Sequence, residues 1–494
     1  MNKNKKQNPL SRRSFVSKSL AATVGFTIVP SFAVSGLGYK APSDKLNIVG
    51  VGVGGMGFSN LKQMETENII GLCDVDWKYS DRVFKHYPKA KKYKDYRVMY
   101  EELGKSIDGV VVATADHTHA IISAQAIEMG KHVYLQKPLT HTVYESRLLT
   151  NLTNQHKVAT SMGNQGASGE GVNLVTEWLA NNEIGEVTKV EAFTDRPIWP
   201  QGIPRPEAMT APSTLDWDLF IGPAKHRPYN EIYTPWNWRG WWDFGTGALG
   251  DMACHILHPV FVGLELEYPI SAQGSSTLLL ADSAPNAQKV SLVFPEREST
   301  TKMNLPEVEV IWYDGGLQPS KPIGWPEGKN MNNAGGGVIF HGTKDKLICG
   351  CYGLDPWLLS GRTPNAPKFR RRIETTHEQD WVRASKETFT NRIETASPFS
   401  EAGPFNEMVV MGVLAVRLQT LNKKLMWDGV NMKFTNINAN EEIKIITKDN
   451  FKIHDGHPTF DKEWTKPVNA NDFAKELIKH DYRGGWKLPE MPKQ

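Results

Sequence analysis

The chain is predicted to be an α/β protein with a doubly wound parallel sheet first and an open, mainly antiparallel sheet after it. Three observations carry that expectation. Short apolar strand patterns alternate with helical stretches from Leu46 to Leu135, and a glycine-rich turn joins the first strand to the first helix. Beyond Val187 strand patterns follow one another with few helices between them. The 494 residues are enough for two or three domains, and no apolar run reaches the roughly 18 residues of a spanning helix, which excludes a polytopic membrane protein. Four cysteines are too few for a disulfide scaffold, and no CxxC pair suggests a zinc site.

The first 33 residues read as an address. Lys3, Lys5, Lys6, Arg12, Arg13 and Lys18 precede or flank a short apolar run, Leu20 to Val29, and Ser31-Phe32-Ala33 offers a small-x-small cleavage site. A twin-arginine pair in that setting resembles a Tat export signal, so the protein is expected in the periplasm, with the Tat machinery as a partner. The alternative is a basic tail on a cytosolic protein. Without these six bases the balance is 51 basic against 54 acidic residues, in place of 57 against 54. A chain so close to neutral has no field for holding nucleic acid.

The nucleotide half is expected over residues 44–163. Leu46 to Val51 is a buried-strand pattern running into Gly52-Val53-Gly54-Gly55-Met56-Gly57 and then a helical stretch, Phe58 to Met64. In this setting Gly52 permits the tight turn, while Gly54, Gly55 and Met56 bring backbone N–H groups to a pyrophosphate. Gly57 lets helix and strand pack closely. A second strand, Asn68 to Cys73, ends at Asp74, seventeen residues past Gly57. A carboxylate there accepts hydrogen bonds from ribose hydroxyls and repels a 2′-phosphate, so tightly held NAD is expected and NADP disfavoured. The pattern is that of a Rossmann domain. It continues through helices beginning at Asp81 and Tyr100, the strand Ile107 to Ala113, the helix Ala120 to Met129 and the strand His132 to Leu135. Thr114, His117 and His119 in one strand-end segment, and Gln136 and Lys137 in the next, are placed beside the cofactor, with Gln165 at the crossing between domains. His117 and His119 could ligate a metal, but no third ligand is near in sequence, and no metal is expected.

At Gln136-Lys137-Pro138 the sequence begins to resemble the Gfo/Idh/MocA oxidoreductases. Their second landmark is similar to Gly247-Ala248-Leu249-Gly250-Asp251-Met252-Ala253-Cys254-His255, and the resemblance runs from about residue 44 to 445. Two positions depart from the family pattern: Gln136 stands for the usual glutamate, and His258 for an aspartate three residues after the histidine. The resemblance implies sugar or polyol dehydrogenation, with Lys137, Asp251 and His255 as catalytic residues. The chemistry agrees, because hydride cannot leave a carbinol carbon unless a base takes the hydroxyl proton. Asp251 and His255 lie four apart on a helical stretch, so the carboxylate is expected to hold the imidazole, with Lys137 stabilising the oxygen. The bland alternatives are a capping Asp251, a core His255 and a solvated Lys137.

Residues 164–445 are assigned to an α+β substrate and oligomerisation domain. Its expected elements are the helix Gly171 to Leu179 and strands at Val187 to Phe193, Ser275 to Leu280, Lys289 to Phe294, Glu307 to Tyr313, Gly337 to His341 and Lys346 to Cys351. Family members often associate through such a sheet, which implies a homo-oligomer. An aromatic insert over residues 197–247 carries Trp199, Trp217, Trp236, Trp238, Trp241 and Trp242. Indole faces stack on pyranose rings while Arg and Asp bond hydroxyls, so Arg239, Trp241, Trp242 and Asp243 are the expected carbohydrate contacts. The alternative is a packed loop whose tryptophans replace missing secondary structure. Helices are expected at His377 to Thr388 and Phe405 to Leu421. The tail, residues 446–494, reads as peripheral, with 451–468 as loop.

Three functions fit this reading. They are NAD-dependent oxidation of a sugar or glycoside hydroxyl, a glycosidase working by transient oxidation and elimination, and a non-catalytic carbohydrate-binding protein.

Overall fold

The computed structural model describes residues 44–492, so the export signal expected over residues 1–33 lies outside the described residues. Six strands form a wholly parallel sheet: β1 (Asn47–Val51), β2 (Asn68–Cys73), β3 (Lys91–Tyr93), β4 (Gly109–Val112), β5 (His132–Leu135) and β6 (Thr160–Met162), in the order β3-β2-β1-β4-β5-β6. Crossovers run through α1 (Met56–Gln63), α2 (Asp81–His86), α3 (Tyr96–Leu103), α4 (Asp116–Glu128) and α5 (Val143–His156). Helices on both faces bury every residue of β4, which explains its unbroken valine run. Some helices begin earlier than their apolar pattern suggests, because polar residues start them. The Asp95 carboxylate accepts from Arg97 N to open α3, and Thr142 with Glu145 forms a reciprocal capping box at α5. The helix expected from Ala120 begins instead at Asp116, which puts His117 and His119 in the first turn of α4 rather than in a loop.

The second sheet has nine strands: β7 (Val187–Thr194), β8 (Ser271–Ser276), β9 (Gln288–Phe294), β10 (Val308–Tyr313), β11 (Gly336–Gly342), β12 (Lys346–Gly350), β13 (Trp357–Leu358), β14 (Leu425–Asp428) and β15 (Lys433–Phe434). Their order is β13-β12-β11-β7-β10-β9-β8-β14-β15. Only β7 and β10 run parallel, so the sheet is mixed and mainly antiparallel. The remaining helices of this part of the chain are α6 (Glu170–Ala180), α7 (Trp217–Ile221), α8 (Gly247–Ile256), α9 (His258–Gly263), α10 (His377–Ser385) and α11 (Phe399–Arg417). Two of these helices tie the halves together. Asn406 on α11 accepts from Leu139 N and donates to Thr140 O, while Glu407 takes Arg147 of α5 in a buried bidentate pair. Trp381 on α10, fully buried, belongs to one core cluster with Ile48, Leu72 and Val111 of the first sheet and Val53 of the turn after β1.

One expected loop is a hairpin. After a small sheet strand β16 (Glu442–Ile443), β17 (Ile446–His454) pairs antiparallel with β18 (His457–Trp464) across Asp455-Gly456, both at positive φ. An Asp-Gly pair matches the twist of a two-residue hairpin turn, and the charged and proline residues stand on open faces where they cost the ladder little. The chain continues with β19 (Val468–Asn469) beside β16, then α12 (Ala470–Ile478).

Candidate active site

The glycine turn after β1 and the segment after β4 meet where the strand order reverses, beyond the carboxyl ends of the strands. Gly52 is at φ 78°, and a Cβ there would lie 2.6 Å from Ala113 O. A Cβ on Gly57 would meet Gly52 O at 2.2 Å, so the turn closes only without side chains. A cavity of about 670 Å³ opens from this turn to the aromatic insert. Gly52, Gly54, Gly55, Met56, Asp74, Thr114, His117, Gln136, Lys137 and Gln165 all line it. The Asp74 carboxylate accepts from Gly54 N at 3.0 Å and Asp76 N at 3.0 Å. Burial raises its pKa against these bonds. A turn that admits no side chains and an acid at the end of β2 suit NAD.

His119 lies off the cavity. Its ring sits between Pro138 O at 2.9 Å and Thr114 O at 3.1 Å, bracing the two strand-end segments from behind. His117 places Nε2 2.9 Å from Phe220 O and Nδ1 3.3 Å from Phe244 O, so both ring nitrogens face backbone carbonyls and the one N–H of the neutral ring serves a single one of them. Burial holds both imidazoles neutral, with pKa values pushed down to about 4. Gln136 donates to Asn60, which donates to Glu378 of α10. The amide in place of the family's glutamate therefore belongs to a buried network that itself ends in a carboxylate.

At the far end of the cavity stand Lys137, Asp251 and His255. Lys137 Nζ donates to Asp251 Oδ1 at 2.7 Å and Asp251 O at 3.1 Å, and among the described residues its third N–H has no partner. Arg239 Nε donates to the same Oδ1 at 2.9 Å. Burial alone would raise Asp251, but these two cations hold it well below the usual carboxylate range. The expected Asp251–His255 pairing is therefore replaced, because two cations outcompete a neutral ring for one carboxylate. Among the described residues His255 Nδ1 has no hydrogen-bond partner. The ring lies 4.6 Å from that of Tyr352, and burial, then Lys137, pushes its pKa down to about 3. His258, where the family has aspartate, turns to Glu401 at 2.9 Å.

The α8 helix that carries Asp251 and His255 is fixed at its start: Thr246 Oγ1 donates to Asp116 Oδ2 at 2.9 Å. Burial lifts Asp116 to about 7, and its other oxygen has no partner among the described residues.

Of the expected sugar contacts only Arg239 faces the cavity. Trp241 is fully buried against Tyr233, Trp242 packs in the main core, and Asp243 pairs with Arg227 beside a separate small cavity. The insert has almost no regular structure, so these rings fill the space that secondary structure would fill. Trp199, Trp236 and Trp238 line the cavity instead, with Arg196 and Tyr352. Arg196 follows a strand end and carried no local motif. Tyr352 sits at φ 63°, a conformation that no pattern in its segment signals.

Residues 45–164 match the description "Oxidoreductase family, NAD-binding Rossmann fold", and residues 177–294 match "Oxidoreductase family, C-terminal alpha/beta domain", both of the Gfo/Idh/MocA group. An α-N-acetylgalactosaminidase of Shewanella oneidensis is 30% identical over 159 residues, covering 27% of this chain and 35% of that one. A glycosyl hydrolase family 109 protein of Akkermansia muciniphila is 31% identical over 121 residues, 22% of this chain and 25% of that one. The matched stretch thus spans about a third or less of these curated relatives. Among solved structures, the WlbA dehydrogenase of Chromobacterium violaceum, in complex with NADH and UDP-GlcNAcA, shares the fold at TM-score 0.53 and 16% identity. That match covers 78% of this chain and 96% of the dehydrogenase. GenD2 from gentamicin A biosynthesis, in complex with NAD, matches at TM-score 0.51 and 16% identity, over 78% of this chain and 97% of GenD2. With both family domains matched in order and the fold shared along the chain, this protein belongs to the Gfo/Idh/MocA oxidoreductase family.

Proposed function

We propose that this protein is an NAD-dependent oxidoreductase moving a hydride between a sugar or glycoside hydroxyl carbon and nicotinamide. The observation that carries this reading is one cavity joining a glycine cradle to Lys137, Asp251 and His255. Bound NAD supplies the hydride acceptor. Lys137, paired with Asp251, donates its remaining N–H to the reacting oxygen and stabilises negative charge there. His255, neutral and facing the cavity, takes the hydroxyl proton. Trp199, Trp236 and Trp238 offer flat apolar faces to a pyranose and exclude water.

A second reading uses the same groups in a glycosidase. A ring hydroxyl is oxidised, the adjacent C–H becomes acidic, the aglycone leaves as that proton is lost, water adds across the resulting double bond, and the hydride returns to the ketone. The glycosidase names of the curated relatives favour it. So does export to the periplasm, which we propose from the N-terminal segment, because a self-regenerating cofactor needs no outside supply of NAD.

The test is hydride balance. Protein loaded with NAD is given glycosides while absorbance of reduced nicotinamide and free aglycone are followed together. Net reduced cofactor with a keto-sugar supports the oxidoreductase, and aglycone release without net reduction supports the glycosidase. Sugar binding with neither would leave a carbohydrate-binding protein.

A further inference from the structure

The substrate end of the cavity is unevenly charged. Lys137, Arg196 and Arg239 line it, and Asp251 is the carboxylate among the lining residues there. One oxygen of Asp251 already serves both Lys137 and Arg239. His255 is neutral and offsets nothing. Arg196 bonds Asp195 at 2.9 Å, but that carboxylate is about half exposed, where such a pair is weak.

The two guanidinium groups also hold donors in reserve. Arg239 spends Nε on Asp251 and Nη1 on Trp236 O, and it is clamped between the rings of Trp236 and Trp238, 4.9 and 4.3 Å from their centroids. Its Nη2 has no described hydrogen bond. Arg196 uses Nη1 alone, and its Nη2 lies beside Gly335, where even a Cβ would come within 3.6 Å. A rigid, partly desolvated guanidinium with unspent N–H groups is the usual recognition element for a carboxylate.

We propose that the sugar bound here is acidic, a uronate-type pyranose whose carboxylate is held by Arg196 and Arg239 while the tryptophans take the ring. This rests on reading the cleft as the sugar site and adds the substrate class. Binding is therefore measured apart from turnover. NAD-loaded protein is titrated calorimetrically with glucuronate and galacturonate, with glucose and galactose, and with a 6-sulfated sugar. A charge-assisted bidentate contact gives uronates a dissociation constant about 10- to 100-fold below their neutral partners. That advantage shrinks at high salt. In Arg196→Gln the ratio falls toward 1, and in Arg196→Lys it recovers in part. Equal or absent binding of the uronates would overturn the proposal, as would a sulfated sugar binding tighter than both uronates. Uronate binding without any nicotinamide chemistry or aglycone release would leave the acidic-sugar site standing and remove the proposed reaction.

Discussion

In the proposed reaction the chemistry turns on Lys137, which lines the cavity and pairs with Asp251. Lys137→Met removes the N–H offered to the substrate oxygen. The expected loss is about 10²- to 10⁴-fold in kcat, measured at saturating glycoside. The same change acts on His255. The base works neutral, so activity falls as pH drops through its pKa, which burial and Lys137 hold near 3. The unaltered protein should show no acidic limb in kcat/KM near pH 6.5, and Lys137→Met should move the limb upward, because a cation is lost while Asp251 stays charged. A limb near 6.5 in the parent would mean that His255 is not the base. These three residues were legible because each stands in a motif. Arg196 and Tyr352 were not, because nothing adjacent in the chain marks a side chain that meets the site only after a sheet and a turn have folded.

At the scale of elements, the first β-turn-α unit was readable since its glycines answer to local sterics. Gly57→Ala would press a Cβ onto Gly52 O at 2.2 Å, a backbone atom that cannot swing away. The variant should lose retained NAD on gel filtration and drop by roughly 1–3 kcal/mol in denaturant unfolding. Helix α4 was misjudged at its start because Asp116 and His117 read as loop residues. Their place in the helix depends on Thr246 and on carbonyls of the insert more than a hundred residues away. The 451–468 segment shows the converse limit. Its alternation of Phe451 and Ile453 with charged neighbours fits a strand, but Pro458 and the histidines obscured it.

At the scale of the whole molecule, the nucleotide domain is not self-sufficient. Trp381 comes from the helix between β13 and β14 of the second sheet to fill the space beside Gly109, where a Cβ would meet its ring at 2.7 Å. Trp381→Ala should cost about 3–5 kcal/mol, and residues 44–163 expressed alone should lack a cooperative thermal transition. Acid stability follows from buried groups. His117, His119 and His132 are held near 4, His255 near 3 and His141 well below its ordinary value, chiefly by burial. An unfolded chain takes protons on all five below pH 6.5 that the folded chain refuses, so their contribution is lost as pH falls. Asp116 and Asp314, both lifted to about 7 by burial, act in the opposite sense and lose stability as pH rises from the ordinary carboxylate range. Among the large shifts these five act one way and two the other, while His341 and His377 are lowered and Asp74, Glu145, Glu394 and Glu407 raised by less, so the melting temperature should fall between pH 6.5 and 4. A higher melting point at pH 5 than at 6.5 would show this count of buried groups to be wrong.

The amino-acid order by itself determined the parallel sheet, the cofactor turn and the lysine, aspartate and histidine of the site. The sheet and the turn follow from periodicity and backbone sterics, while the three polar residues were marked by resemblance to the family's motifs. Only the tertiary structure decided which tryptophans face the cleft, which cation Asp251 serves and where Arg196 points, because those choices depend on packing between segments far apart in the chain.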